Sequence, residues 1–115
     1  METPKLVSLA CESLAHGQVP LDPADCELTF TALIGTDGVR GDSFQFVVVT
    51  PSALARSQYT GWCKDYLIVQ EFSWEQVENY VANLLASVRG ESWDDIAEQL
   101  HQFMDWEFYN DRKSS

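Results

Sequence analysis

The sequence predicts an α+β domain: an antiparallel sheet of three to five strands with a C-terminal antiparallel helix pair packed on one face. Three observations carry this. Strand-like patterns fill the first part of the chain and helix-like patterns the last, the order expected of an α+β fold. Residues 26–50 hold two period-2 segments on either side of a Gly-rich turn. Phe72–Gly90 then reads as a helix with both of its ends written into the residues. At 115 residues the chain forms a single domain, 1–115.

Taken in order, Leu6, Val7, Leu9 and Ala10 suggest an edge strand. Residues 16–25 form a loop, with Gly17, Pro20, Pro23 and two Asp. Residues 1–25 are the least defined part of the prediction. From Cys26 to Ile34 the pattern alternates: Leu28, Phe30, Ala32 and Ile34 face one way and Thr29 and Thr31 the other. Gly35-Thr36-Asp37-Gly38 and Gly41-Asp42 supply a turn. Ser43–Thr50 is the strongest strand, and consecutive Val47, Val48 and Val49 mark it as central, covered on both faces. Pro51 ends it and suits the first position of a short helix capped by Thr50 and running to Arg56. Asp65–Glu71 is a further strand.

In the first long helix Ser73 is the N-cap and Gln76 completes a capping box, with Phe72 and Val77 placed to close a hydrophobic staple. Trp74, Val77, Val81, Leu84, Leu85 and Val88 fall in a stripe roughly 100° wide. Gly90 is the expected left-handed terminator. A second helix follows after two or three residues, capped by Ser92 with Asp95 at N3. Trp93, Ile96, Ala97, Leu100, Phe103 and Met104 form its inner side. Trp106-Glu107-Phe108-Tyr109 returns to the sheet edge as a short strand, and residues 110–115 form a polar, flexible tail.

Composition narrows the function. A net charge of −11 disfavours nucleic acid and anionic membranes, whose phosphates such a surface repels, and favours a cationic partner. The three Cys are widely spaced, with no Cys-x-x-Cys, and read as reduced thiols, mostly small core residues. The N-terminal residues lack the apolar run of a signal peptide, and no apolar stretch is long enough to span a membrane, so a cytoplasmic location is expected. No nucleophile elbow, phosphate loop or H-E-x-x-H is present. No catalytic set and no cofactor are predicted.

The one concentration of reactive side chains is Asp94, Glu98, His101 and Asp105, which at helical spacing share a band roughly 60° wide. Glu98-x-x-His101 matches half of a di-iron carboxylate motif, but the second copy and two further glutamates are lacking. A solvated helix usually mixes Lys with Glu at i, i+4. Here no Lys or Arg lies between Ser92 and Tyr109, and Asp94 and Glu98 form a like-charge pair. The pattern suits a docking face for a basic partner. From Asp65 to Asp111 there are eleven acidic residues and one basic residue, Arg89, so the acidity belongs to the helical half. Of the four Trp, Trp74 and Trp93 lie on inner faces, whereas Trp62 and Trp106 are candidates for binding anchors, with burial in the core or at the sheet edge the favoured reading for Trp106.

Phe44-x-Phe46, Thr50-Pro51-x-x-Leu54, Leu67-Ile68-Val69, Ser92-Trp93-x-x-Ile96-x-x-x-Leu100 and Trp106-Glu107-Phe108 occur in this order. Together, over residues 26–109, they resemble immunity protein family 8 of bacterial polymorphic toxin and contact-dependent growth inhibition systems. Ala53 departs from that pattern, standing where an aromatic usually precedes the leucine. The resemblance implies a small cytoplasmic, non-enzymatic protein that binds a cognate toxin domain and neutralises it. The family-level expectation for the toxin is a nuclease with a basic active site. The expected contacts are Asp94, Glu98, His101, Asp105, Trp106, Glu107 and Tyr109. The alternative is a non-inhibitory adaptor or chaperone for a basic secreted effector.

Overall fold

The computed structural model describes residues 2–37, 39–58 and 60–110. The tail expected at 110–115 falls, from 111 onward, outside the described residues. The elements are β1 (Lys5–Cys11), β2 (Glu27–Thr36), β3 (Val39–Val49), α1 (Pro51–Arg56), β4 (Tyr66–Ile68), α2 (Trp74–Ala86), α3 (Trp93–His101) and β5 (Asp105–Trp106).

The α+β class stands, with five strands and two C-terminal helices. One part of the prediction is corrected: the sheet is mixed. Its order is β1-β2-β3-β4, and β4 runs parallel to β3, pairing Val47 with Tyr66 and Val49 with Ile68. Residues 50–65, including α1, separate these strands, enough chain for the crossover that a parallel pair needs. β5 pairs with β3 antiparallel, Phe44 opposite Trp106. Thus β4 and β5 share one edge of β3, β5 opposite its middle at Phe44 and Gln45 and β4 opposite its end at Val47 to Val49.

The β2–β3 hairpin is the frame. Its strands run longer than the sequence suggested, β2 reaching Thr36 and β3 beginning at Val39. Gly41 has φ +109°, and a Cβ there would lie 2.8 Å from the Ile34 carbonyl oxygen, so only glycine permits this approach. The alternation holds: Leu28, Phe30, Ala32 and Ile34 are all buried. The double cover expected of β3 holds only at its end, where Val48 and Val49 are buried while Val47 is half-buried. Buried Thr50 locks that end to β2: its N–H donates to the Cys26 carbonyl at 3.1 Å, and its Oγ1 accepts from the Cys26 N–H at 3.0 Å. Its hydroxyl therefore does not cap α1, although it occupies the N-cap position. Arg56 of α1 pairs with Asp25, and the guanidinium holds that carboxyl below the usual carboxylate range.

Both long helices start where their caps predict. Ser73 Oγ accepts from the Gln76 N–H and Ser92 Oγ from the Asp95 N–H. α2 ends at Ala86, earlier than expected, and residues 87–92 connect the helices. Gly90 is not a left-handed terminator. It bridges to Glu2, and a Cβ there would sit 2.6 Å from an Asp95 carboxylate oxygen and 3.0 Å from Ile96 Cγ1. The glycine serves close approach instead of a positive φ. α2 lies nearest β1 and α3 nearest β5. Between them and the sheet, Phe30 stacks on Phe46 at 5.6 Å and meets Trp74 edge-on at 5.2 Å, while Phe44 packs against Trp93 and Trp106. Of the thiols, Cys26 is buried in the core, Cys11 is half-buried and packed against it, and Cys63 is exposed, so the last departs from the core role expected of most. Burial pushes the Cys26 thiol up.

Candidate functional site

The acidic residues singled out in the sequence do not form one helical band, because α3 stops at His101. Phe103 and Met104 both return N–H groups to the Leu100 carbonyl, and the chain then leaves for the sheet. Asp94 and Glu98 are exposed on the first turns of α3. Asp105 is exposed on β5, opposite Gln45. What the structure does bring together is Glu98, His101 and Tyr109, which line a shallow cleft of about 370 Å³ with Asp95, Gln99 and Gln102.

His101 is a structural hinge point between α3 and β5. Its Nδ1 accepts from the Trp106 backbone N–H at 3.2 Å, which requires a neutral ring with its proton on Nε2. Tyr109 stacks on the ring at 3.6 Å between centroids. Burial, helped by the nearby Lys64 charge, lowers the His101 pKa against the opposing pull of Asp105 and Asp65. His101 is therefore half-buried and bonded, not the ordinary surface histidine its polar side implied.

Trp106 takes the buried one of its two readings, against its place among the expected contacts. It is 2% exposed. Its indole N–H donates to Asp42 Oδ2 at 2.9 Å, and the Trp93 indole donates to the same oxygen at 2.8 Å. One carboxylate oxygen thus fastens the start of α3 and the β5 strand to β3. Trp106 acts as an internal fastener and is not presented as an anchor. Glu107 is exposed, but its carboxylate accepts from the Ser43 N–H at 2.7 Å and extends the β5–β3 pairing.

The charge asymmetry survives folding. Lys5 pairs with Asp37, Arg56 with Asp25 and Lys64 with Asp65. Among the described residues no three His, Cys, Asp or Glu side chains gather as a metal site would require, and no helix is long and apolar enough to cross a membrane.

A second feature went unread in the sequence. α2 and the α3–β5 turn leave an apolar groove of about 400 Å³ above the short β4 strand, lined chiefly by Phe46, Leu67, Tyr80, Leu84, Phe103 and Met104. Phe103 had been assigned to the inner side of α3; it is 55% exposed, and Tyr80 is 47% exposed. The signal available was Tyr80, an aromatic four residues before Leu84 and on the flank of the apolar stripe. The fully exposed Trp62 lies in the loop leading to β4.

Comparison with known proteins gives one match. The family model described as Immunity protein 8 matches residues 5–110, nearly the whole chain. Neither the curated proteins nor the solved structures provide a match.

Proposed function

The chain belongs to the immunity protein 8 family, and from that membership we propose that it binds a cognate bacterial toxin domain and neutralises it by occupying the toxin's working surface. The family match across residues 5–110 is the observation that carries this reading. The toxin we infer is a nuclease with a basic active site, of a polymorphic toxin or contact-dependent growth inhibition system. The immunity protein acts in the cytoplasm as a non-catalytic binder, without a cofactor and without affinity for nucleic acid or membrane.

The charge distribution supports this partner. A nuclease cleft is positively charged because it holds phosphates, and a compact acidic protein competes for it. The contacts we infer are the exposed carboxylates Asp94, Glu98, Asp105 and Glu107, together with His101 and Tyr109. Opposite charge on the two surfaces raises the rate of productive encounter and makes that rate salt-dependent. The like-charge spacing of Asp94 and Glu98 costs a few tenths of a kcal/mol in the helix, a small penalty for a steering surface.

The test is co-expression with the toxin domain encoded beside this gene, together with purification of the complex. Survival of cells carrying both, death of cells carrying the toxin alone, and a stable complex are expected. A complex in which the toxin keeps its activity would replace neutralisation with an adaptor role. Reversing Asp94, Glu98 and Asp105 to Lys should slow association and flatten its salt dependence; unchanged kinetics would remove this face from the interface.

A further inference from the structure

We propose that the apolar groove beside β4 is the anchor of the interface: it receives one or two large apolar side chains that project from a Lys- and Arg-rich surface of the toxin. This rests on the toxin-binding reading and names the surface that holds the complex after charge has brought the partners together.

The groove lies over the three-residue β4 strand, between α2, which supplies Tyr80, Val81 and Leu84, and the turn after α3, which supplies Phe103 and Met104. Its floor, Phe46, is only 4% exposed, while Tyr80 and Phe103 stand at its mouth about half exposed. Among the described residues no charged side chain lines it. A concave apolar site with aromatic walls is the form that interface anchors take, and aromatic residues at such sites dominate binding energy.

Charge identifies the occupant. Asp65 immediately precedes the lining residue Tyr66, and Asp105 immediately follows the lining residue Met104. Lys64, which lies next to Asp65, is held by that carboxylate and by the Met104 carbonyl at 3.4 Å. The stretch that builds the two walls, residues 74–106, contains a single basic residue, Arg89. An apolar side chain surrounded by cations therefore meets complementary flanks. A second copy of this chain, at net charge −11, meets repulsion.

The test uses the full chain and the toxin domain encoded beside it, with binding kinetics measured at low and high salt. Asn83→Trp fills the groove, and a double variant, Tyr80→Ala with Phe103→Ala, strips its mouth. All three positions are exposed, so thermal unfolding should match wild type, and each variant checks the other if one folds poorly. Each should weaken affinity by about tenfold or more, mainly through faster dissociation, and the loss should persist at high salt. Asp94→Lys with Glu98→Lys should instead slow association, with an effect that fades at high salt. Wild-type binding with both groove variants unchanged would overturn the groove and leave neutralisation standing. Variants that alter self-association and not toxin binding would assign the groove to a second copy and overturn the proposal. Wild-type protein that does not bind this toxin domain would overturn both readings.

Discussion

α2 and α3 open with the same three residue types, Ser-Trp-acid, and the fold uses them differently. Each serine caps its own helix in the same way. Trp74 donates its indole N–H to the Gln18 carbonyl at 2.6 Å, with the His16 ring tilted against it, and so fastens the loop between β1 and β2. Trp93 donates to Asp42 of β3 in company with Trp106. One start secures a loop through a neutral acceptor. The other secures a helix and a strand through a charged acceptor shared by two donors. The cap is local and identical; the tryptophan's work depends on what lies across the fold.

That difference should appear first at Asp42. Asp42→Ala removes the acceptor of two indole donors and should cost about 3 kcal/mol or more in denaturant unfolding, since bonds to a charged group contribute about 1.5–3 kcal/mol each. A cost under about 1 kcal/mol would mean that the shared carboxylate does not organise the α3–β5 end. Trp74→Phe comes next, at about 1–2 kcal/mol for a lost neutral bond and some packing. Hydrogen exchange should quicken in residues 15–25 while β5 stays protected; loosening of β5 as well would erase the distinction between the two ends. Ser73→Ala and Ser92→Ala should then cost about 1 kcal/mol each, equal within error. A clear inequality would show that the caps are not interchangeable.

The smallest effect is the pH response at His101. Its folded pKa lies below the ordinary value of 6.5, so above about 6.5 the neutral ring serves both states without penalty. As pH falls below that value the unfolded chain takes the proton first, and stability is lost down through the folded pKa. Protonation also removes the acceptor for the Trp106 N–H. Wild type should lose more stability than His101→Gln on acidification from neutral pH to about 5.5; equal losses would show that this histidine does not report on the α3–β5 junction.

These contrasts also show what could be read from residues alone. The caps, the alternation of Leu28 to Ile34 and the stripe of α2 are local patterns with fixed periods, and the sequence displays them directly. Asp42 could not be found that way, because its partners lie 51 and 64 residues further on. An apolar run such as Leu67-Ile68-Val69 has no direction, so β4 could not be read as parallel from its residues, although the length of the α1 crossover allowed it. Gly90 misled because a glycine that ends a helix and one that admits a close neighbour look alike in a sequence. Asp105 misled because periodicity does not say where a helix stops. The acidic bias of the helical half was legible from composition. The groove was not, since it arises from where α2 and α3 settle on the sheet.

Neutralisation itself is tested most directly by titrating the purified chain into an activity assay of the toxin domain encoded beside it. The account predicts activity falling in proportion to added protein and vanishing near equimolar ratio, with the same titration of the Tyr80→Ala, Phe103→Ala variant displaced to higher concentration. Full toxin activity in the presence of excess wild-type protein would contradict it.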